Sequence, residues 1–266
     1  MASAKKTVML VQVSDAHLRK EEEGALLGMN TRNSLDAVLD LVKTHHGAPD
    51  AVIASGDLAQ DGSIEAYECF QAKMAQFSCP VYWFNGNHDD REVMAEVASR
   101  TDSLTSVQRV GEWQIILLDS LVRGKVYGRL SDHELKILDD ALTASPGVPT
   151  LVSFHHHPID IGCRWLDNIG LKNRDALFEI IDRHPQVKVL LWGHIHQEVD
   201  TVRNGVRLLA SPSTCVQFLP HSDDFAIDTI APGYRWLKLH ADGTVDTGVL
   251  RADHIEFQVD YSSKGY

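Results

Sequence analysis

Residues 187–196 read Val-Lys-Val-Leu-Leu-Trp-Gly-His-Ile-His. The first six are apolar and β-branched enough for a strand buried on both faces, and Gly193 ends the run. His194 and His196 follow two apart, so an extended backbone turns both imidazoles to one side. Four other short apolar runs end in the same manner. Val8–Val13 leads into Ser14-Asp15-Ala16-His17, and Ala51–Ser55 into Gly56-Asp57. Val81–Phe84 leads into Gly86-Asn87-His88-Asp89, and Thr150–Phe154 into His155-His156-His157-Pro158. In open α/β sheets, ligands bind outside the carboxyl ends of the strands. An isolated Asp-x-His or Gly-Asp is commonplace; five such endings in succession point to one shared site.

The residue types point to metal. Imidazole, carboxylate and amide oxygen without thiolate suit divalent ions such as Mn, Fe, Zn or Co. Glycines before Asp57, Asn87 and His194 remove side-chain bulk and permit the turns that aim donors inward.

Helical spacing fills the intervals between strands. Leu35, Val38, Leu39 and Val42 keep it, as do Tyr67, Phe70, Met74 and Phe77. Leu135, Leu138 and Leu142 follow a capping box of Ser131 and Glu134, and a fourth helix is predicted from Asn173 to His184, before Pro185. The alternation predicts an α/β protein. Gly111-Glu112 separates two strand-like runs, and Asn204-Gly205 and Asp242-Gly243 predict type I′ hairpins, so the sheet is expected to be mixed. A single domain over residues 1–251 is expected, with a polar and aromatic tail over 252–266.

Composition narrows the function classes. The chain has 266 residues, 44% hydrophobic and 23% charged, enough for one large domain with a full core. Its 25 Lys and Arg against 37 Asp and Glu leave a net charge of −12, the wrong sign for tracking nucleic-acid phosphates. No apolar run approaches the ~18–20 residues of a spanning helix, so no membrane partner is expected. Lys5 and Lys6 before Val8–Val13 mimic a signal peptide, but the run is short, holds Gln12, and lacks a small-residue cleavage site. Cys69, Cys79, Cys163 and Cys215 form no Cys-x-x-Cys pair and read as reduced thiols, which gives a cytoplasmic expectation.

The five blocks, in this order over residues 15 to 196, resemble the signature of the calcineurin-like metallophosphoesterase superfamily. Ser14–Leu18, Gly56–Gly62, His155–Pro158, Gly193–Glu198, Pro212–Phe218 and Asp228–Tyr234 further resemble the bacterial class III 3′,5′-cyclic AMP phosphodiesterases, leaving out only about the last fifteen residues. The resemblance implies a layered α/β/β/α sandwich of two mixed β-sheets with a dimetal site at the carboxyl ends of the strands. It assigns Asp15, His17 and His196 to the first metal, Asn87, His156 and His194 to the second, and Asp57 as the bridge. His156 is selected because it lies two residues before Pro158; His155 and His157 are left to supporting roles. His88 is implied as the catalytic proton donor with Asp89 orienting its ring, and Asn87, His88 and His17 as contacts for substrate.

The implied chemistry is attack by a metal-bridging hydroxide on cyclic AMP, giving 5′-AMP, between ions about 3.5–4 Å apart. Two divalent ions bring about +4, against about −2 from Asp15 and Asp57, so the site is electropositive within an acidic protein. The expected partner is a small cyclic nucleotide, with a homodimer left open. The same site suits glycerophosphodiesters, 2′,3′-cyclic nucleotides and other diesters. Phosphoprotein hydrolysis fits less well, because Gln60, Asp61, Gly62 and Asp89 stand where the superfamily's protein phosphatases carry Gly-Asp-x-x-Asp-Arg and Gly-Asn-His-Glu. A non-catalytic scaffold is the reading from another class, disfavoured because every candidate ligand is present. Beyond the metals, the Gly162–Leu171 loop offers Trp165 either as a purine platform or as a packed aromatic, and residues 221–224 offer a facing wall.

Overall fold

The computed structural model describes residues 7–99 and 101–265; Lys5 and Lys6 lie outside the described residues. The amino-terminal part comprises β1 (Val8–Val13), β2 (Ala25–Leu26), β3 (Met29–Asn30), α1 (Thr31–His46), β4 (Ala51–Ala54), α2 (Ile64–Met74), β5 (Val81–Trp83) and α3 (Arg91–Ala98). The middle adds β6 (Val107–Val110), β7 (Trp113–Leu117), α4 (Asp132–Thr143), β8 (Thr150–Ser153), α5 (Arg164–Asp167), α6 (Arg174–Ile181) and β9 (Val187–Trp192). Two hairpins close the chain, β10 (Val199–Arg203) with β11 (Val206–Ala210) and β12 (Gly233–Leu239) with β13 (Val245–Arg251).

Two mixed sheets form, in strand order β13-β12-β1-β4-β5 and β10-β11-β9-β8-β7-β6. In the first sheet β1, β4 and β5 run parallel while β12 pairs antiparallel with both β1 and β13; in the second, β11-β9-β8-β7 pair parallel and the outer hairpins antiparallel. Side-chain alternation divides the core into three layers. Val8 and Leu10 of β1 join Ile53, Leu151, Val189 and Leu191 between the sheets. Val11 and Val13 face outward onto Leu35, Val38, Tyr67 and Phe70 of α1 and α2. On the other side Leu190 and Trp192 pack against Leu138, Leu142, Leu177 and Ile181 of α4 and α6. The result is the α/β/β/α sandwich that the resemblance implied. Strands covered on both faces carry near-continuous apolar runs, which is why the five could be found by inspection.

Caps also follow the sequence. Ser131 accepts from the Glu134 N–H at the start of α4, and Asn204 (φ 50°) with Gly205 (φ 81°) turns β10 into β11. The Asp242-Gly243 turn differs from the type I′ expectation. Among its residues only Gly243 has positive φ (89°): its N–H closes a turn on the His240 carbonyl and the His240 N–H pairs with Thr244, so the loop spans three residues, with the Asp242 carboxylate accepting from the Thr244 N–H and hydroxyl. The terminal segment runs back across the fold, where the Asp260 N–H donates to the Leu27 carbonyl and Phe257 packs against both outer core layers.

Arg235 joins the two sheets from β12 at 0% exposure. Its guanidinium donates to the carbonyls of Ala210 and Val199 and to the Thr247 hydroxyl. Burial pulls its pKa down to about 10, so it stays charged at neutral pH. Arg235→Met keeps the volume but orphans those acceptors. We expect it to lower the unfolding free energy by about 3 kcal/mol, read by denaturant titration.

Candidate metal centre

Every strand named for chemistry delivers its residues to one edge of the sandwich. Loops after β1, β4 and β5 come from one sheet and those after β8 and β9 from the other. Backbone bonds hold the loops together: Asp15 N–H to Gly56, His17 N–H to Asp57, and Gly193 N–H to His155. Asp15, His17, Asp57, His194 and His196 all have left-handed backbones, with φ between 48° and 67°. Among the described residues only Leu27, Asn204 and His221 share that state outside glycine. Such strain, about 1–3 kcal/mol per residue, concentrates where side chains must converge.

Three overlapping groups of donors lie within 4.8 Å of one another: Asp15, His17 and His196; His17, Asp57 and His88; and Asp57, His155 and His194. Asp57 stands between the outer two. Its Oδ2 is 3.2 Å from His155 Nε2 and 3.9 Å from His17 Nε2, while its Oδ1 accepts from the His88 N–H at 2.8 Å. Gly86 makes this approach possible, since a Cβ there would lie 2.1 Å from Asp57 Oδ1.

The tautomers of the first group follow from its hydrogen bonds. A carbonyl only accepts, so the 2.8 Å contact to Val216 requires the proton on His196 Nδ1. His17 Nδ1 likewise faces the amide oxygen of Gln60 at 2.6 Å. Both Nε2 lone pairs then converge, 3.1 Å apart, beside Asp15 Oδ1, which is 3.3 Å from His196 Nε2. Two nitrogens bound at right angles to one ion, each at about 2.1 Å, stand about 3.0 Å apart. On the other side, the Nε2 atoms of His156 and His194 and Oδ1 of Asn87 are buried without a hydrogen-bond partner, and His155 Nε2 faces the shared Asp57 oxygen. Such orphans are costly unless something else binds them.

Protonation states agree with a cation site. Burial drives His17 down to about 3, and burial together with the neighbouring histidines holds His194 well below its ordinary range. Burial pushes Asp15 and Asp57 up, yet the surrounding imidazoles outweigh it and keep both carboxyls low. Neutral imidazoles and ionised carboxylates are the forms that bind metal. His155 departs from this pattern: burial opposes its charge, but Asp57 and Asp15 raise it to about 9. Two buried carboxylates thus draw in positive charge. The donors suit a pair of divalent cations.

The three rings of the histidine triplet take different positions. His155, not His156, joins the carboxylate groups, with its Nδ1–H held by the Ser55 carbonyl at 2.8 Å. His156 turns Nδ1 to Ser120 Oγ at 2.8 Å and packs 4.6 Å from the His194 ring, centre to centre. His157 stacks beyond it, 5.6 Å from His194. His88 is half-buried beside His17, with ring centres 5.1 Å apart. Asp89 braces the turns around that ring. Its carboxylate accepts from the N–H groups of Leu58, Ala59 and Gly86 and from the Tyr67 hydroxyl, tying the Asp57 turn to the Asn87 turn. Trp165 packs edge-on against Phe218 and Phe225, and Phe218 stacks on His196 at 4.2 Å. Sequence inspection missed Gln60 and Val216 as partners of His17 and His196. Gln60, three residues beyond Asp57, offered a signal; a backbone carbonyl offered none.

The chain belongs to the calcineurin-like phosphoesterase family, whose sequence profile matches residues 9–198. It is 48% identical over 260 residues to the 3′,5′-cyclic adenosine monophosphate phosphodiesterase CpdA of Pseudomonas aeruginosa, covering 98% of this chain and 96% of that one. To the CpdA of Escherichia coli (strain K12) it is 47% identical over 262 residues, covering 97% and 95%. A dimetal phosphatase from Danio rerio shares the fold, with a TM-score of 0.63 at 17% identity over 92% of this chain and 99% of that one.

Proposed function

We propose that the protein hydrolyses 3′,5′-cyclic AMP to 5′-AMP as a dimetal phosphodiesterase. The observation that carries this reading is near-full-length similarity to proteins named for that activity, joined to a complete donor cluster. Asp15, His17 and His196 would hold one divalent cation and Asn87, His155 and His194 the other, with Asp57 shared; Mn, Fe, Zn or Co fits these donors. Bound there, the pair would supply Lewis acidity to the phosphodiester and acidify water near neutral pH.

The remaining steps fall to the chain. Hydrolysis adds a water oxygen to phosphorus and breaks the bond to the 3′ oxygen, which must take up a proton. His88 supplies it, half-buried and anchored through its N–H to Asp57 Oδ1. Asn87, next to it in the chain, and His17, packed against the His88 ring, would contact the phosphate. We expect His88→Ala to lower kcat by about 10²–10³-fold with unchanged metal content, measured by steady-state kinetics and elemental analysis. Metal loss in this variant would instead make His88 a ligand.

The four free cysteines fit the cytoplasm, and no helix among the described residues is long and apolar enough to cross a membrane. The direct test is turnover of cyclic AMP, cyclic GMP, 2′,3′-cyclic AMP and bis-p-nitrophenyl phosphate under Mn, Fe, Co and Zn. Cyclic AMP should give the highest kcat/KM with at least one ion. Faster turnover of a 2′,3′-cyclic nucleotide or the simple diester with every ion would contradict the substrate assignment.

A further inference from the structure

Gln12 interrupts an otherwise apolar strand. It follows Val8 and Leu10 on the inter-sheet side of β1 and is 0% exposed. Its Oε1 is buried without a hydrogen-bond partner, a cost that a leucine would avoid. Its Nε2 is fully engaged, donating to Ser55 Oγ at 2.8 Å and to the Trp192 carbonyl at 3.0 Å.

From Ser55 the contacts continue in one direction. Ser55 Oγ donates to Ser14 Oγ at 2.7 Å, and Ser14 Oγ donates to Asp15 Oδ2. Both ends set the order, because an amide N–H only donates and a carboxylate only accepts. Each serine thus points its proton toward Asp15, with the Val13 carbonyl, at 3.4 Å, a longer alternative for Ser55. Ser14, Asp15 and Ser55 are all at most 1% exposed, so water does not compete, and buried chains of this type polarise cooperatively. Gly193 leaves room for the link: a Cβ there would lie 2.1 Å from Ser14 Oγ and 2.7 Å from Asp15 Oδ2.

The consequence falls on the other oxygen. With Oδ2 held by Ser14, and the His194 N–H 3.1 and 3.2 Å from the two oxygens, Asp15 cannot turn freely. Oδ1 is left facing His196 Nε2 at 3.3 Å, with His155 Nε2 farther off at 3.9 Å.

We propose that Gln12, Ser55 and Ser14 form a positioning relay that fixes Asp15 as a one-oxygen ligand for the cation held by His17 and His196. This rests on the dimetal reading above. The relay acts on one cation and spares the other, which is held by His155, His194 and Asn87.

The test is equilibrium binding of Mn²⁺ to metal-free protein by calorimetric titration, with visible absorption of the Co²⁺ form as the spectroscopic readout. Wild type should bind two ions. Ser14→Ala should weaken one by about ten- to a hundredfold, leave the other within about threefold, and shift the Co²⁺ bands. Gln12→Met, which removes the first donor two links away, should weaken the same ion by a smaller factor. Unchanged affinities and spectrum in Ser14→Ala, or equal weakening of both ions, would overturn the relay while leaving the dimetal reading intact. Fewer than two ions in wild type would instead remove that reading, and the relay with it. If Ser14→Ala does not fold, Gln12→Met decides, and wild-type binding there overturns the proposal.

Discussion

Asp57→Ala should bind at most one divalent ion per chain and turn over cyclic AMP at least about a thousandfold more slowly than wild type. Its Oδ2 faces His17 on one side and His155 on the other, so one carboxylate oxygen borders donors of both proposed cations. Its Oδ1 also anchors the His88 N–H, so removal loosens the turn that carries Asn87 and His88. Taking one partner from a buried charge cluster costs about 3–5 kcal/mol, which is about two to four powers of ten in affinity or rate. Elemental analysis of purified variant beside wild type, with kcat from the same samples, checks the outcome. Retention of both ions would show that the carboxylate is not shared.

The second large effect separates neighbouring histidines. His155→Ala should lose one ion and about 10²–10³-fold in kcat, because its Nε2 is 3.2 Å from the shared Asp57 oxygen. His156→Ala should retain both ions and keep kcat within about tenfold. Its cost should be stability instead, about 1–3 kcal/mol, since the ring is fully buried and bonded to Ser120. The reverse pattern would make His156 the ligand, as the resemblance implies. Metal content and a denaturant titration on the two variants decide between them.

How the triplet divides its roles is a matter of phase that the sequence alone does not display. Three identical residues give no contrast by type, and strand alternation can order them only while the strand lasts. β8 ends at Ser153 and carries a register shift between Thr150 and Leu151, so no simple two-residue count reaches position 155. Elsewhere the pattern was readable because burial on both faces forces it. Val8–Val13 and Val187–Trp192 were bounded to the residue, and the polar endings marked the edge where the sheets meet.

Shorter features were harder to see. α3 escaped notice at eight residues, although Asp90 caps it by accepting from the N–H groups of Glu92 and Val93. Gln12 was visible as a polar break in an apolar run, but its partners come from β4 and β9, far away in sequence. Asp89 looked like a partner for the adjacent His88. Only the folded chain brings the backbone of residues 58, 59 and 86 and the α2 hydroxyl of Tyr67 around it.

Everything proposed for catalysis requires that cations occupy both sides of Asp57. Titration of metal-free wild-type protein with Mn²⁺, followed by calorimetry and confirmed by elemental analysis after desalting, measures this without reference to substrate. Two equivalents per chain, with a rise in melting temperature on loading, are the predicted result. Saturation at one equivalent, or no binding by folded protein, would contradict it.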